Sequence, residues 1–179
     1  MASSGVRRTG PLLVAVAWCL LHGAPAGAEG FGIFSPAFRH GEAIPKKYSC
    51  DRADVSPPLR WIGAPPKTKS FVVIAEDPDV PAGSWVQWVL YDLPAGAGGV
   101  RQGIPAGDRL SDGTKQGVNE FGKVGYSGPC PPPGKVHHYY FRVYALDAPT
   151  RLEPQATKAR VYHAMRRHIL RVSEVMGTY

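Results

Sequence analysis

The spacing of apolar and polar positions changes period several times along the chain. Residues 71–75 (FVVIA) form an unbroken apolar run with β-branched members, the pattern of a strand buried on both faces. A second run at 85–91 follows after one loop, and so short a connection predicts an antiparallel neighbour. In HYYFRVYALD, strict alternation puts Tyr139, Phe141, Val143 and Ala145 on one face and Tyr140, Arg142, Tyr144 and Leu146 on the other. Weaker strand patterns occupy 31–34 and 59–61.

Near the end the period lengthens. Tyr162, Met165, Ile169, Val172 and Met176 step by three and four, which predicts one helical stripe, with Arg160, Arg166, Arg167 and Arg171 largely off it and Gly177 as the stop. The elements together predict a mostly antiparallel β fold, a sandwich with peripheral helices that include an amphipathic one at the C-terminus. Its loops are long and rich in Pro, Gly and Asp.

Composition narrows the picture. The 179 residues are 44% hydrophobic and 20% charged, which suits one globular domain rather than a disordered chain. The first 28 residues read differently. They carry Arg7 and Arg8, a short apolar stretch (PLLVAVAWCLL) and the small-residue site AGA at Ala26 to Ala28. That is the pattern of a secretory signal cleaved near Ala28, leaving a domain over 29–179 with no membrane span; an uncleaved anchor is the competing reading. The protein is then expected to be secreted or periplasmic. Cleavage would take the net charge from +7 (21 minus 14) to +5 (19 minus 14). Such mild, scattered basicity, densest in MRRHILR, argues against nucleic acid as a partner.

Cys50 and Cys130 remain after cleavage, and in an oxidising compartment they are a candidate disulfide. Spacing alone leaves open whether they pair. There is no zinc-type ligand cluster, no G-x-S-x-G elbow, no H-E-x-x-H and no phosphate-cradling glycine loop. No cofactor or metal is called for.

Two segments carry candidate chemistry. In DPDVPAGSWVQW, Asp77 and Asp79 are two apart, so on an extended segment both carboxylates can face one side, with Pro78 stiffening the link. A strand-ending turn with two solvated acids is the more ordinary reading of such a segment on its own. In GYSGPCPPPGKVHHYYF a rigid loop with few backbone donors leads to His137, His138 and Tyr139, groups able to hydrogen-bond a small anion.

These two segments, with the VYALD that follows, the earlier SPPLRW and the final AMRRHIL and MGTY, resemble the phosphatidylethanolamine-binding protein family. The likeness is greatest to its bacterial and archaeal branch, often called Raf kinase inhibitor-like proteins, and runs from about residue 34 to 179. The resemblance implies an antiparallel β sandwich whose small surface pocket binds phosphate-like anions or phospholipid headgroups. It places Asp77, Asp79, His137 and Tyr139 in that pocket, Pro131 and Pro132 at its opening, and a cis peptide bond before Pro81. Two positions depart from the family pattern: Gln87 stands where a histidine is usual, and His138 where an arginine is. Gln87 can still donate through its amide, so the expectation is a pocket of the same shape with weaker, less pH-dependent anion affinity.

Three function classes follow. The first is an exported binding protein for a small anion or headgroup, with Asp77 and Asp79 orienting the imidazole or receiving an ammonium group. The second is a protein-interaction inhibitor of an enzyme such as an exported protease. The third is a hydrolase, for which Cys130 near His137 would be the thiol nucleophile.

Overall fold

The computed structural model describes Met1 and residues 30–179 except Ala82. The segment read as a signal sequence therefore lies, apart from Met1, outside the described residues.

Strand β3 (Ser70–Val80) is the centre of the molecule. Its apolar run pairs antiparallel with β4 (Gly83–Pro94) on one side and with β7 (His138–Leu146) on the other. Short β6 (Lys115–Gln116) joins β4, and β8 (Ile169–Thr178) joins β7, giving a five-stranded sheet in the order β6-β4-β3-β7-β8. A second sheet holds β1 (Gly32–Phe34), β2 (Leu59–Ile62) and β5 (Gly99–Val100) in the order β1-β2-β5.

Burial on both faces of β3 follows from what covers the large sheet. Phe71, Val73 and Ala75, with Trp88, Leu90, Tyr139, Phe141 and Val143, pack against Ile33, Leu59 and Trp61 of the small sheet, which is the sandwich core. Val72 and Ile74, with Val89 and Tyr91, pack instead against Val161 and Met165 of α1 (Lys158–Met165). Alternation along β7 is as expected, with Tyr139, Phe141, Val143 and Ala145 buried on the sandwich side.

The C-terminal element corrects the expected helical stripe. The helix stops at Met165, starts from Thr157, whose Oγ1 accepts from Arg160 N, and is followed by a strand. Ile169, Val172 and Met176 therefore lie on β8, paired with β7 from Leu146↔Ile169 to His138↔Thr178. Steps of three and four fit a helix, but 169–178 is rich in β-branched residues and β7 offers a free edge; pairing with that edge wins. Gly177 does not end a helix. A Cβ there would sit 2.5 Å from Ile44 Cγ1 and 2.9 Å from Phe38 Cε2, so the glycine lets the 38–44 segment close over the end of β8. That segment bonds to β8 through Ile44 N to Thr178 O (2.8 Å) and Thr178 N to Glu42 O (2.9 Å).

The expected cis bond before Pro81 is not found: among the described residues every peptide bond is trans. The chain reverses between Val80 and Gly83, which pair with each other, and Gly83 takes a φ of 107°. A glycine in that conformation turns the hairpin without help from a proline isomer.

Candidate functional site

The D-P-D segment is strand, not turn. Asp77 still pairs with Trp85 of β4, whereas pairing with β7 ends at Glu76↔Tyr140. Pro78 thus sits where one side of β3 has lost its neighbour, a place where a missing N–H costs little. Beyond it the chain folds on itself, and the Asp79 N–H donates to Asp77 Oδ1 at 2.8 Å.

Asp77 and His137 meet in a small cavity of about 180 Å³. Both are nearly inaccessible, and His137 Nδ1 lies 2.7 Å from Asp77 Oδ2. The imidazole is held from its backbone as well, because His137 and Tyr179 exchange both N–H···O bonds at 2.9 and 3.0 Å. With Nδ1 committed to Asp77, Nε2 is the nitrogen left to a ligand. Nε2 accepts a hydrogen bond in the neutral ring and donates one in the imidazolium.

Tyr139 supplies the next feature. It is 1% exposed, lines the same cavity, and its Oη has no hydrogen-bond partner among the described residues. Burial pushes its phenol well above the usual range, and the neighbouring Asp77 carboxylate adds to the shift. The group is therefore a buried O–H donor that stands beside the Asp77 carboxylate without closing a hydrogen bond to it among the described residues. Leaving such a donor unpaired costs about 1–3 kcal/mol, which an acceptor entering the cavity would recover.

Gln87 and the prolines complete the wall. With its nitrogen turned to the carbonyls, the buried Gln87 amide donates to Ser127 O and Gly128 O, 2.5 and 3.2 Å away. Its N–H groups are consumed there, so it does not donate into the cavity as expected from sequence; it fixes the 127–128 turn and offers only oxygen. Pro131 and Pro132 line the opening, next to Cys130. Cys130 is bonded to Cys50, with Cα atoms 5.5 Å apart across 80 residues of sequence, a separation that suits a disulfide. This bond decides the pairing left open by spacing, and it removes the thiol nucleophile of the hydrolase reading. The same loop is pinned by Gly128 N to Asp54 Oδ1 (2.6 Å) and Tyr126 Oη to Tyr48 O (2.7 Å).

Asp79 is not part of the cavity lining. Its Oδ2 accepts from His138 N at 2.9 Å and lies 2.7 Å from His138 Nδ1, on the partly exposed outer side. The His138 imidazole, with its N–H, holds Asp79 below the usual carboxylate range. The proposed pair of acids facing one histidine is thus two separate pairs, Asp77 with His137 and Asp79 with His138. The cause is that His137, just before β7, continues the ladder by its bonds to Tyr179, so on that extended backbone His137 and His138 point opposite ways.

Sequence reasoning missed Val80, Trp85 and Phe121, which also line the cavity. Trp85 and Phe121 meet edge to face at 5.5 Å, and Phe121 is 40% exposed, giving the opening an aromatic rim. Trp85 carried a signal as the first aromatic after D-P-D. Phe121, in a loop without pattern, carried none. Among the described residues no group of three or more His, Cys, Asp or Glu side chains could hold a metal ion, and no helix is long and apolar enough to cross a membrane.

Comparison with known proteins agrees over most of the chain. A family model described as phosphatidylethanolamine-binding protein matches residues 34–179. A UPF0098 protein of Methanothermobacter thermautotrophicus is 45% identical over 143 residues, covering 80% of this chain and 94% of that one. Another, from Aquifex aeolicus, is 43% identical over 156 residues, covering 86% and 91%. Among solved structures, a phosphatidylethanolamine-binding protein homolog of Chlamydia trachomatis superposes with a TM-score of 0.76 at 40% identity, covering 84% of this chain and 97% of that one. Escherichia coli YbcL, described as a member of the mammalian family, gives 0.77 at 30% identity, covering 83% and 97%.

Proposed function

The chain belongs to the phosphatidylethanolamine-binding protein family, in its bacterial and archaeal branch, and from that premise we propose a binding protein whose His137 cavity takes one phosphate-like anion. The observation that carries the reading is the buried Tyr139 hydroxyl, which has no partner among the described residues and stands beside an imidazole whose Nε2 makes no hydrogen bond to them. An anion oxygen between Tyr139 Oη and protonated His137 Nε2 would satisfy both donors. Asp77 does not repel it in the way a free carboxylate would, because its two oxygens are already engaged by His137 and by Asp79 N. It orients the ring through the bond at Nδ1.

The same engagement speaks against Asp77 as the receiver of an ammonium group. The cavity then recognises the phosphate end of a ligand, whether free phosphate or the headgroup of a phospholipid. Its volume of about 180 Å³ suits a headgroup-sized anion and excludes an acyl chain. Export through the leader read at 1–28 belongs to the proposal. The Cys50–Cys130 bond supports it, since such bonds persist in oxidising compartments.

Calorimetric titration with phosphate, phosphoethanolamine and sulfate tests the site. All three should bind with similar affinity, and His137→Ala should abolish the heat of each. Phosphoethanolamine binding far more tightly than phosphate would mean an acid does receive the ammonium. If no anion binds, the reading fails. N-terminal sequencing of the native protein tests export, with Glu29 as the expected first residue.

A further inference from the structure

A second cavity, of about 470 Å³, lies between the end of β4, strand β5 and the loop that follows, and it shares no residue with the His137 cavity. Its volume falls within the roughly 300–1,000 Å³ of small-molecule sites. Apolar side chains of Leu93, Val100, Ile104 and Leu110 line it. Thr114 lines it as well; that residue is 1% exposed, and its Oγ1 makes no hydrogen bond among the described residues.

The loop is built rather than slack. Gln116, wholly buried, donates from Nε2 to Pro105 O and to Gly107 O, both at 2.8 Å, and its Oε1 accepts from Trp88 Nε1 at 3.0 Å. Ile104 N donates to Ser56 Oγ at 2.9 Å, and Leu110 N to Thr114 O at 2.7 Å. This buried amide of β6 ties two carbonyls of the loop to the sheet and to a core tryptophan, which gives the cavity a fixed wall.

Charge at the cavity is mainly positive. Arg101 and Arg109 both line it, both are exposed, and neither makes an ion pair among the described residues. The one acid in the lining, Asp112, has Oδ1 taken by Thr114 N at 2.9 Å.

We propose that this cavity is a second ligand site, for an amphipathic monoanion: an apolar chain or ring bearing one carboxylate. Leu93, Val100, Ile104 and Leu110 would bury the apolar body, Thr114 Oγ1 would donate to a polar atom of the ligand, and Arg101 or Arg109 would hold the carboxylate. The site is independent of the anion cavity at His137.

Octanoate and octan-1-ol, titrated by calorimetry, are the probes. Octanoate should bind about tenfold more tightly than octanol, the advantage of one charged hydrogen bond. The Arg101→Ala/Arg109→Ala variant, which alters only exposed side chains, should bind the two equally. Thr114→Val should raise the melting temperature, since it removes an unpaired buried hydroxyl, and lower octanoate affinity several-fold. His137→Ala should bind octanoate as the wild type does. Failure of octanoate to bind, equal affinity for both probes in the wild type, or loss of octanoate binding in His137→Ala would each overturn the proposal. So would a Thr114→Val protein that is more stable yet binds octanoate unchanged, because the hydroxyl would then be a defect of packing and not part of a site.

Discussion

Glu76 and Asp77 are consecutive on β3 and send their carboxylates to opposite faces of one sheet. Glu76 meets Arg142, Lys158 and Ser84 on the helix side, and Asp77 meets His137 in the cavity. Two adjacent acids, both buried, therefore do different work, one in stability and one in the site.

Replacement of Asp77 by Asn should weaken sulfate binding by about 10-fold to 100-fold, the 1.5–3 kcal/mol of a charged hydrogen bond. An Asn side chain offers His137 Nδ1 a neutral partner in place of a carboxylate, so the ring is held less firmly with Nε2 toward the ligand. Equal binding by wild type and Asp77→Asn would show that Asp77 only fills space.

Tyr139→Phe separates binding from stability. Removing an unpaired buried hydroxyl should stabilise the fold by about 1 kcal/mol, read from urea melts, while sulfate affinity drops several-fold. A hydroxyl that merely lacked a partner would give the first effect without the second.

For Gln87→His the expectation changes with the structure. The variant loses at least one bond to Ser127 O or Gly128 O, so its melting temperature should fall. A second imidazole at the cavity should also strengthen sulfate binding below about pH 6.5, where a free imidazole is mostly charged. Unchanged affinity at every pH would mean that position 87 does not reach the ligand.

Acid should unfold the protein partly through Glu76. Desolvation alone would raise its pKa, but Lys158, Ser84 and Arg142 outweigh it, and the net shift is downward. A carboxylate with a depressed folded pKa contributes stability that is complete above its unfolded value, about 4.3, and is lost as pH falls through the lower folded one. Glu76→Gln should cost about 1–3 kcal/mol at neutral pH. That is less than for a fully buried pair, since Arg142 and Lys158 are 27% and 32% exposed and Arg142 keeps Glu174. The difference between variant and wild type should shrink in acid, as a series of urea melts across pH will show.

Reduction of the Cys50–Cys130 bond should cost about 4–5 kcal/mol by loop-closure entropy, measured as a shift of the urea midpoint with reductant. Pro131 and Pro132 follow the bond directly, so anion affinity should fall in molecules that are reduced yet still folded.

Much of this arrangement was readable before any coordinates. The run at 71–75, the alternation at 138–146 and the short link to 85–91 each encode burial on particular faces, and each became the strand expected. The residues Asp77, Gln87, Pro131, Pro132, His137 and Tyr139 do line one cavity. What escaped was decided by partners outside the segment. Ile169 to Met176 fits a helix by spacing and became strand because β7 had an open edge. Asp79 looked equivalent to Asp77 and left the cavity because His138 captured it. Gln116, which carries no local signal, turned out to fix both Trp88 and the 105–107 loop.

The origin of the cavity's walls has a consequence in time. Asp77 comes from β3, Gln87 from the hairpin partner β4, and His137 with Tyr139 from the far end of the chain. A hairpin such as β3–β4 can form within about 10 μs, whereas pairing with a distant strand waits on the closure of a long loop. Until β7 docks there is no cavity, so an anion has nothing to hold in the early stages of refolding. A bound anion should therefore prolong the life of the folded molecule by slowing its unfolding, and leave the rate at which it first folds unchanged.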